Sequence, residues 1–274
     1  MDRTVRDVMH MGVATCPTSL TLGVLAQQLV EKGVHALFVE NDQGSIVGVI
    51  SDIDLLTGEW LFTDEESLAV LLSVTAGELM SSPVSSVEVD EPLQLVAVRM
   101  AEQRIHRLLV TEGGKPVGVI SVSDIVRALG RQEVIRRTVE EAMSRAIVVC
   151  RAETPLPAVA RGMSERRSRS VIVVESSGAP RGIITGLDLM QFASDHGFES
   201  KLAGDIMRPP ITIAPKASLR EAADAMISHH IHRLVVVDPD QPDTMPLGLI
   251  STSDIVVEMA QPGSTWQQPQ SPVS

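Results

Sequence analysis

One segment recurs four times along this chain, and that recurrence limits the possible fold more than any other feature. The copies are Gly48-Val49-Ile50-Ser51-Asp52-Ile53-Asp54, Gly118-Val119-Ile120-Ser121-Val122-Ser123-Asp124, Gly182-Ile183-Ile184-Thr185-Gly186-Leu187-Asp188 and Gly248-Leu249-Ile250-Ser251-Thr252-Ser253-Asp254. Each is a glycine, two aliphatic residues suited to a buried strand, a hydroxyl, two variable positions and an aspartate. The aspartates lie 70, 64 and 66 residues apart, so the unit is one supersecondary module of roughly sixty residues.

A second landmark keeps step with the first. Each unit opens with an acidic residue, an aliphatic one and a methionine: Asp7-Val8-Met9, Glu78-Leu79-Met80, Glu141-Ala142-Met143 and Asp205-Ile206-Met207. From that methionine to the motif aspartate the distance is 45, 44, 45 and 47 residues. Two landmarks holding phase over four copies are not chance.

Between the landmarks every unit reads alike. In the fourth, a strand near Ile211 to Ile213 leads to a helix with Leu219, Ala222, Ala223 and Met226 on one face, the i, i+3, i+4, i+7 spacing of a packed helix. Leu234 to Val237 is a strand, Asp238-Pro239-Asp240 starts a turn, and Leu247 to Ile250 is a strand running into the motif. Pro92 and Pro155 open the corresponding helices of units two and three, where a missing N–H costs nothing. A further helix, such as Ile125 to Leu129, follows the motif. The expected unit is β-α-β-β-α, in the α/β class of α+β type.

The boundaries expected from the repeat are unit one over 1–57, a linking helix over 58–74, unit two over 75–129, a polar connector over 130–137, unit three over 138–195, unit four over 202–260, and a Gln-, Pro- and Ser-rich disordered tail over 261–274. Four small units paired into two modules suit a 274-residue chain. Net charge is −12 and aromatics are 2% of residues with no tyrosine, which argues against nucleic-acid or anionic-membrane binding through charge and leaves few surfaces for base stacking. With no apolar run of membrane-span length and no signal-like start, a soluble cytoplasmic protein is expected. Cys16 and Cys150 each lie seven residues after their opening methionine and read as small buried apolar residues.

These motifs resemble CBS domains, named after cystathionine β-synthase, in two tandem pairs of the kind called Bateman modules, as in the gamma subunit of AMP-activated protein kinase. The resemblance covers nearly the whole chain. It implies adenosyl-ligand binding in clefts between paired units, and regulation in place of catalysis, with AMP, ADP or ATP as ligand and no redox cofactor. S-adenosylmethionine or NAD(H) fits the same recognition. By resemblance Asp54, Asp124, Asp188 and Asp254 hold the ribose, and Ser51, Ser121, Thr185 and Ser251 stand near the phosphates, together with Ser123 and Ser253. A strand ending in Ser or Thr and entering a helix offers free backbone N–H groups to phosphate, which supports the assignment. The same Ser/Thr-x-x-Asp is also a capping box, which needs no ligand.

Ile105-His106-Arg107-Leu108 and Ile231-His232-Arg233-Leu234 resemble the His-Arg pairs that the gamma subunit directs at phosphates; guanidinium binds phosphate in bidentate fashion. Units one and three carry Val34-His35-Ala36-Leu37 and Arg169-Ser170-Val171 instead. Arg161, Arg166, Arg167 and Arg169 form a basic run that reads as a solvated helix face or, at Arg169, as a phosphate contact. The resemblance puts the adenine near Pro83-Val84 and Pro210-Ile211. His229, His230 and His232 lack the spacing of a three-ligand metal site. No arrangement for nucleophilic catalysis is legible. The partners expected are an adenine nucleotide and an unidentified regulated protein, with homodimer formation left open; a scaffold with vestigial clefts and a nucleic-acid-binding module are the other classes.

Overall fold

In a computed structural model, residues 3–51, 54, 73–128, 137–193 and 200–261 are described. The expected linking helix, apart from its last two residues, lies outside them, as do positions 130–136 of the connector and the tail from 262.

Each unit is a three-stranded sheet with helices on one face. The first strand runs parallel to the second, which forces a helical crossover between them, and the second pairs antiparallel with the third. In unit one the strands are Thr15–Pro17, Ala36–Glu40 and Ile46–Ser51; in unit two Ser86–Glu88, Arg107–Glu112 and Lys115–Ser121. Units three and four repeat the pattern with Val149–Cys150, Ser170–Val174 and Pro180–Thr185, and with Thr212–Ile213, Arg233–Val236 and Gly248–Ser251. The crossover helices are Leu22–Lys32, Leu93–Gln103, Leu156–Glu165 and Leu219–Ser228. In the last of these Leu219, Ala222, Ala223 and Met226 are all buried, as their spacing predicts. The motif runs from the third strand straight into the closing helix, seen as Val122–Ala128, Gly186–Ala193 and Thr252–Ala260. The two cysteines occupy equivalent first strands, and burial raises both thiols to a pKa of about 11, which makes them poor nucleophiles.

The opening segments do not dock on their own units. Val5 and Arg6 donate their N–H groups to Glu91 and Val89 of unit two, and His10–Met11 adds a fourth strand to that unit's sheet. Ala76 donates to Leu20 of unit one, Val139 to Ala217 of unit four and Ala203 to Thr154 of unit three. Units one and two therefore exchange openers, and so do three and four. A Cβ on Gly182 would lie 2.7 Å from Met207 Sδ, one on Gly248 would lie 2.5 Å from the Ser144 carbonyl, and one on Gly48 would collide with Met80. The motif glycine leaves room for the methionine segment of the paired unit. The acidic residue of each opener caps its own short turn: Asp7, Glu78, Glu141 and Asp205 accept the N–H groups of Thr4, Thr75, Thr138 and Leu202 at 2.7–2.8 Å.

Two large apolar cores then join the pairs through their helices. One merges Val96, Met100 and Ile125 of unit two with Ala222, Met226, Ile255 and Met259 of unit four. The other merges Leu22, Leu25 and Leu29 of unit one with Leu156, Val159 and Met163 of unit three. Between units three and four the strand faces turned away from the helices meet at Ile172, Val174 and Val235. The second strands are buried on both faces, which accounts for their unbroken aliphatic runs. Contacts one-to-two, two-to-four, four-to-three and three-to-one close the four units into a ring.

Candidate functional site

The motif forms a capping box in every unit. Oδ2 of Asp54, Asp124, Asp188 and Asp254 accepts the backbone N–H of Ser51, Ser121, Thr185 and Ser251 at 2.8 Å, and the hydroxyl of the same residue at 2.6–2.7 Å. One carboxylate oxygen is thus committed to the fold. The surroundings of the other oxygen, Oδ1, differ among Asp124, Asp188 and Asp254.

Asp124 is buried, and its Oδ1 lies 2.8 Å from His10 Nε2 and 3.0 Å from Arg127 Nη1. His10 comes from the exchanged opener of unit one. Asp188 is also buried, and Arg208, from the opener of unit four, places Nε 2.6 Å from its Oδ1. Asp254 forms no ion pair among the described residues. Burial raises its carboxyl above the ordinary value, opposed by the Ser251 hydrogen bonds and by Arg233.

The His-Arg pairs of units two and four meet where those neighbouring units join. Strand register sets Arg107 opposite Ser121 and Arg233 opposite Ser251, with Ala36 and Ser170 at the same place in units one and three. Arg169 therefore occupies the histidine position of its unit, beside His35, His106 and His232 of the others. His106 Nδ1 lies 3.0 Å from Ser253 Oγ, and His232 Nδ1 lies 2.9 Å from Ser123 Oγ, so units two and four each reach the motif of the other. His35 packs edge-on against His232 with ring centroids 5.1 Å apart, and Arg233 Nη1 donates to the Arg169 carbonyl at 2.7 Å. Burial, then the positive neighbours His35, Arg233, Arg107 and Arg127, depress His232 to a pKa of about 4, so it is neutral at pH 7. Cationic and imidazole groups from units one, two and four thus gather at the ring centre of an acidic protein, with the Arg169 carbonyl of unit three against Arg233.

A cavity of about 100 Å³ opens at this centre, lined by Ser123, Arg127, His232 and Thr252 with Met226 and Ile231. A larger groove of about 790 Å³ runs along Asp124, lined by Arg3, Thr4, Asp7 and Arg127, and is within the size range of nucleotide-binding pockets. Pro83-Val84 lies where the chain leaves the edge of unit one, to which Ser81 is bridged, and enters the sheet of unit two. Pro210-Ile211 makes the matching crossing between Arg208, bridged to Ile183, and the strand at Val235. Arg161, Arg166 and Arg167 are exposed. Among the described residues no group of three or more side chains is placed to hold a metal ion, His229, His230 and His232 included, and no helix is long and apolar enough to cross a membrane. Sequence reasoning missed His10, Arg127 and Arg208. The signal for two of them is the residue directly after the repeated methionine, which reads His10, Ser81, Ser144 and Arg208.

Comparison with known proteins bears on this arrangement. The CBS domain family matches residues 5–59, 76–131, 139–195 and 203–261. An uncharacterized protein of Methanocaldococcus jannaschii, MJ1404, is 26% identical over 200 residues, 71% of this chain and 46% of the relative, so the chain spans about half the length of that relative. The crystal structure of MJ1225 from the same organism, a protein put forward as an archaeal homolog of g-AMPK, superposes with a TM-score of 0.79 at 18% identity, covering 93% of this chain and 99% of that one. A conserved uncharacterized protein of Pyrococcus horikoshii superposes with a TM-score of 0.63 at 23% identity, covering 94% and 100%. The chain belongs to the CBS-domain family and carries four CBS domains.

Proposed function

We propose that this chain is a non-catalytic, cytoplasmic regulatory sensor that binds adenine nucleotides (AMP, ADP or ATP) in the clefts between its paired CBS units. The observation that carries the reading is the gathering of His106, Arg107, His232 and Arg233 at the ring centre, within reach of the motifs that bear the aspartates. A ribose diol donates to Oδ1 of a motif aspartate, while its phosphates meet guanidinium and imidazole donors toward the centre. Adenine lies against the apolar crossings at Pro83-Val84 and Pro210-Ile211. The overall likeness to a protein put forward as a g-AMPK homolog supports the same arrangement of four CBS units. No side chain of this set is arranged to activate water, so the nucleotide is held without turnover and occupancy is passed to an unidentified regulated protein.

A second reading has its own support. The capping boxes give all four aspartates a structural role without any ligand, and the cations on Asp124 and Asp188 satisfy them further. A scaffold with vestigial clefts has these features. Mass spectrometry of small molecules released from the purified, denatured protein separates the two. An adenine nucleotide in the wild type that is lost in Asp254→Asn supports the sensor. S-adenosylmethionine or NAD(H) in its place would change the ligand but keep the sensor. No adenosyl compound retained, and none bound when added, would leave the scaffold.

A further inference from the structure

The four residues that follow the opening methionines occupy one equivalent position. His10 pairs with Val119, Ser81 with Val49, Ser144 with Leu249 and Arg208 with Ile183, each on the residue after the motif glycine of the paired unit. From that position a long basic side chain reaches the motif aspartate, as His10 does at 2.8 Å and Arg208 at 2.6 Å, both on Oδ1. Oδ2 is fixed by the capping box in all four units, so Oδ1 is the oxygen a ribose diol would need. Serine is too short to take it. Asp254, opposite Ser144, makes no ion pair among the described residues.

The geometry assigns cleft selection to this single position: His10 and Arg208 are internal occupants that close the Asp124 and Asp188 clefts against a nucleoside, and the cleft facing Ser144 loads first. The inference rests on the reading of the clefts as ribose sites. It departs at Asp124 from the expectation that the His-Arg pairs alone give, in which the Asp124 and Asp254 clefts are favoured alike. The occupants are displaceable. Arg208 and His10 are 64% and 68% exposed, so the guanidinium and imidazole can swing into water and their competition with a ligand is limited.

The test is calorimetric titration of the full chain with AMP, comparing wild type, Asp254→Asn, Arg208→Ser and Arg208→Ser with Asp188→Asn. The tightest wild-type site should disappear in Asp254→Asn. Arg208→Ser should add or tighten one site per chain by roughly 5- to 10-fold, and Asp188→Asn should remove that gain. Arg208→Gln, which keeps most of the length without the charge, should give part of the gain and guards against a packing defect in the serine variant. Wild-type titration curves for Arg208→Ser and Arg208→Gln, or weaker binding in both, would overturn cleft selection while leaving the nucleotide site intact. Absence of AMP binding to all of these proteins would instead remove the ribose-site reading, and cleft selection with it.

Discussion

At the residue scale the most informative group is His232, whose burial among positive neighbours holds it neutral with a pKa of about 4. Because its ordinary value is 6.5, the unfolded chain binds the extra proton between pH 6.5 and about 4 and the folded chain does not. Stability should therefore fall as pH drops through that window, by an amount of order 1 kcal/mol once partial exposure is allowed for. Urea denaturation at pH 7 and pH 5 checks the slope, which His232→Gln should flatten. A phosphate placed near the imidazole reverses the balance, since an anion favours the charged form. AMP or ATP binding at pH 5.5 should thus take up a proton, seen as a calorimetric enthalpy that changes with the ionisation enthalpy of the buffer. An enthalpy independent of buffer would place the phosphates away from His232. The sequence alone exposed His232 through the His-Arg pair. It could not show His35 or Arg127 beside it, because those contacts cross between units.

At the element scale the exchanged openers are the main determinant of how units pair. Gly182→Ala should destabilise the protein by about 1 to 3 kcal/mol, because its Cβ would enter the space of Met207. Met207→Ala in the same chain should recover part of that loss, a non-additivity that thermal denaturation of the two single variants and the double variant measures. Full additivity would mean that glycine and methionine do not meet. The crossover helices end at equivalent left-handed residues, Gly33, Arg104, Arg167 and His230, with φ of 61°, 55°, 48° and 54°. Glycine suits that conformation and arginine does not, so Arg167→Gly should leave stability unchanged or raise it by up to about 1 kcal/mol. Strand order, helix faces and the four motif aspartates were legible because period and spacing are local properties. The exchange was not, since a segment's sequence neighbour and its packing partner differ here. For the same reason His10 and Arg208 went unread, although their positions repeat as regularly as the methionine before them.

At the scale of the whole molecule, the openers tie unit one to two and three to four, and the merged helical cores tie one to three and two to four. The mutual His106–Ser253 and His232–Ser123 contacts make the motifs of neighbouring units two and four depend on each other. A nucleotide touching two units can shift their arrangement only by its differential affinity for the alternatives, so saturating ATP should change hydrogen exchange at both motifs together. The account stands on adenosyl recognition in these clefts, and the melting temperature of the full chain with saturating AMP, ATP or GTP tests it most directly. Ligand at a hundred times its dissociation constant should stabilise the fold by about 2.7 kcal/mol per site, with AMP and ATP raising the melting temperature well above GTP. Equal shifts with GTP, or no shift with any of the three, would contradict it.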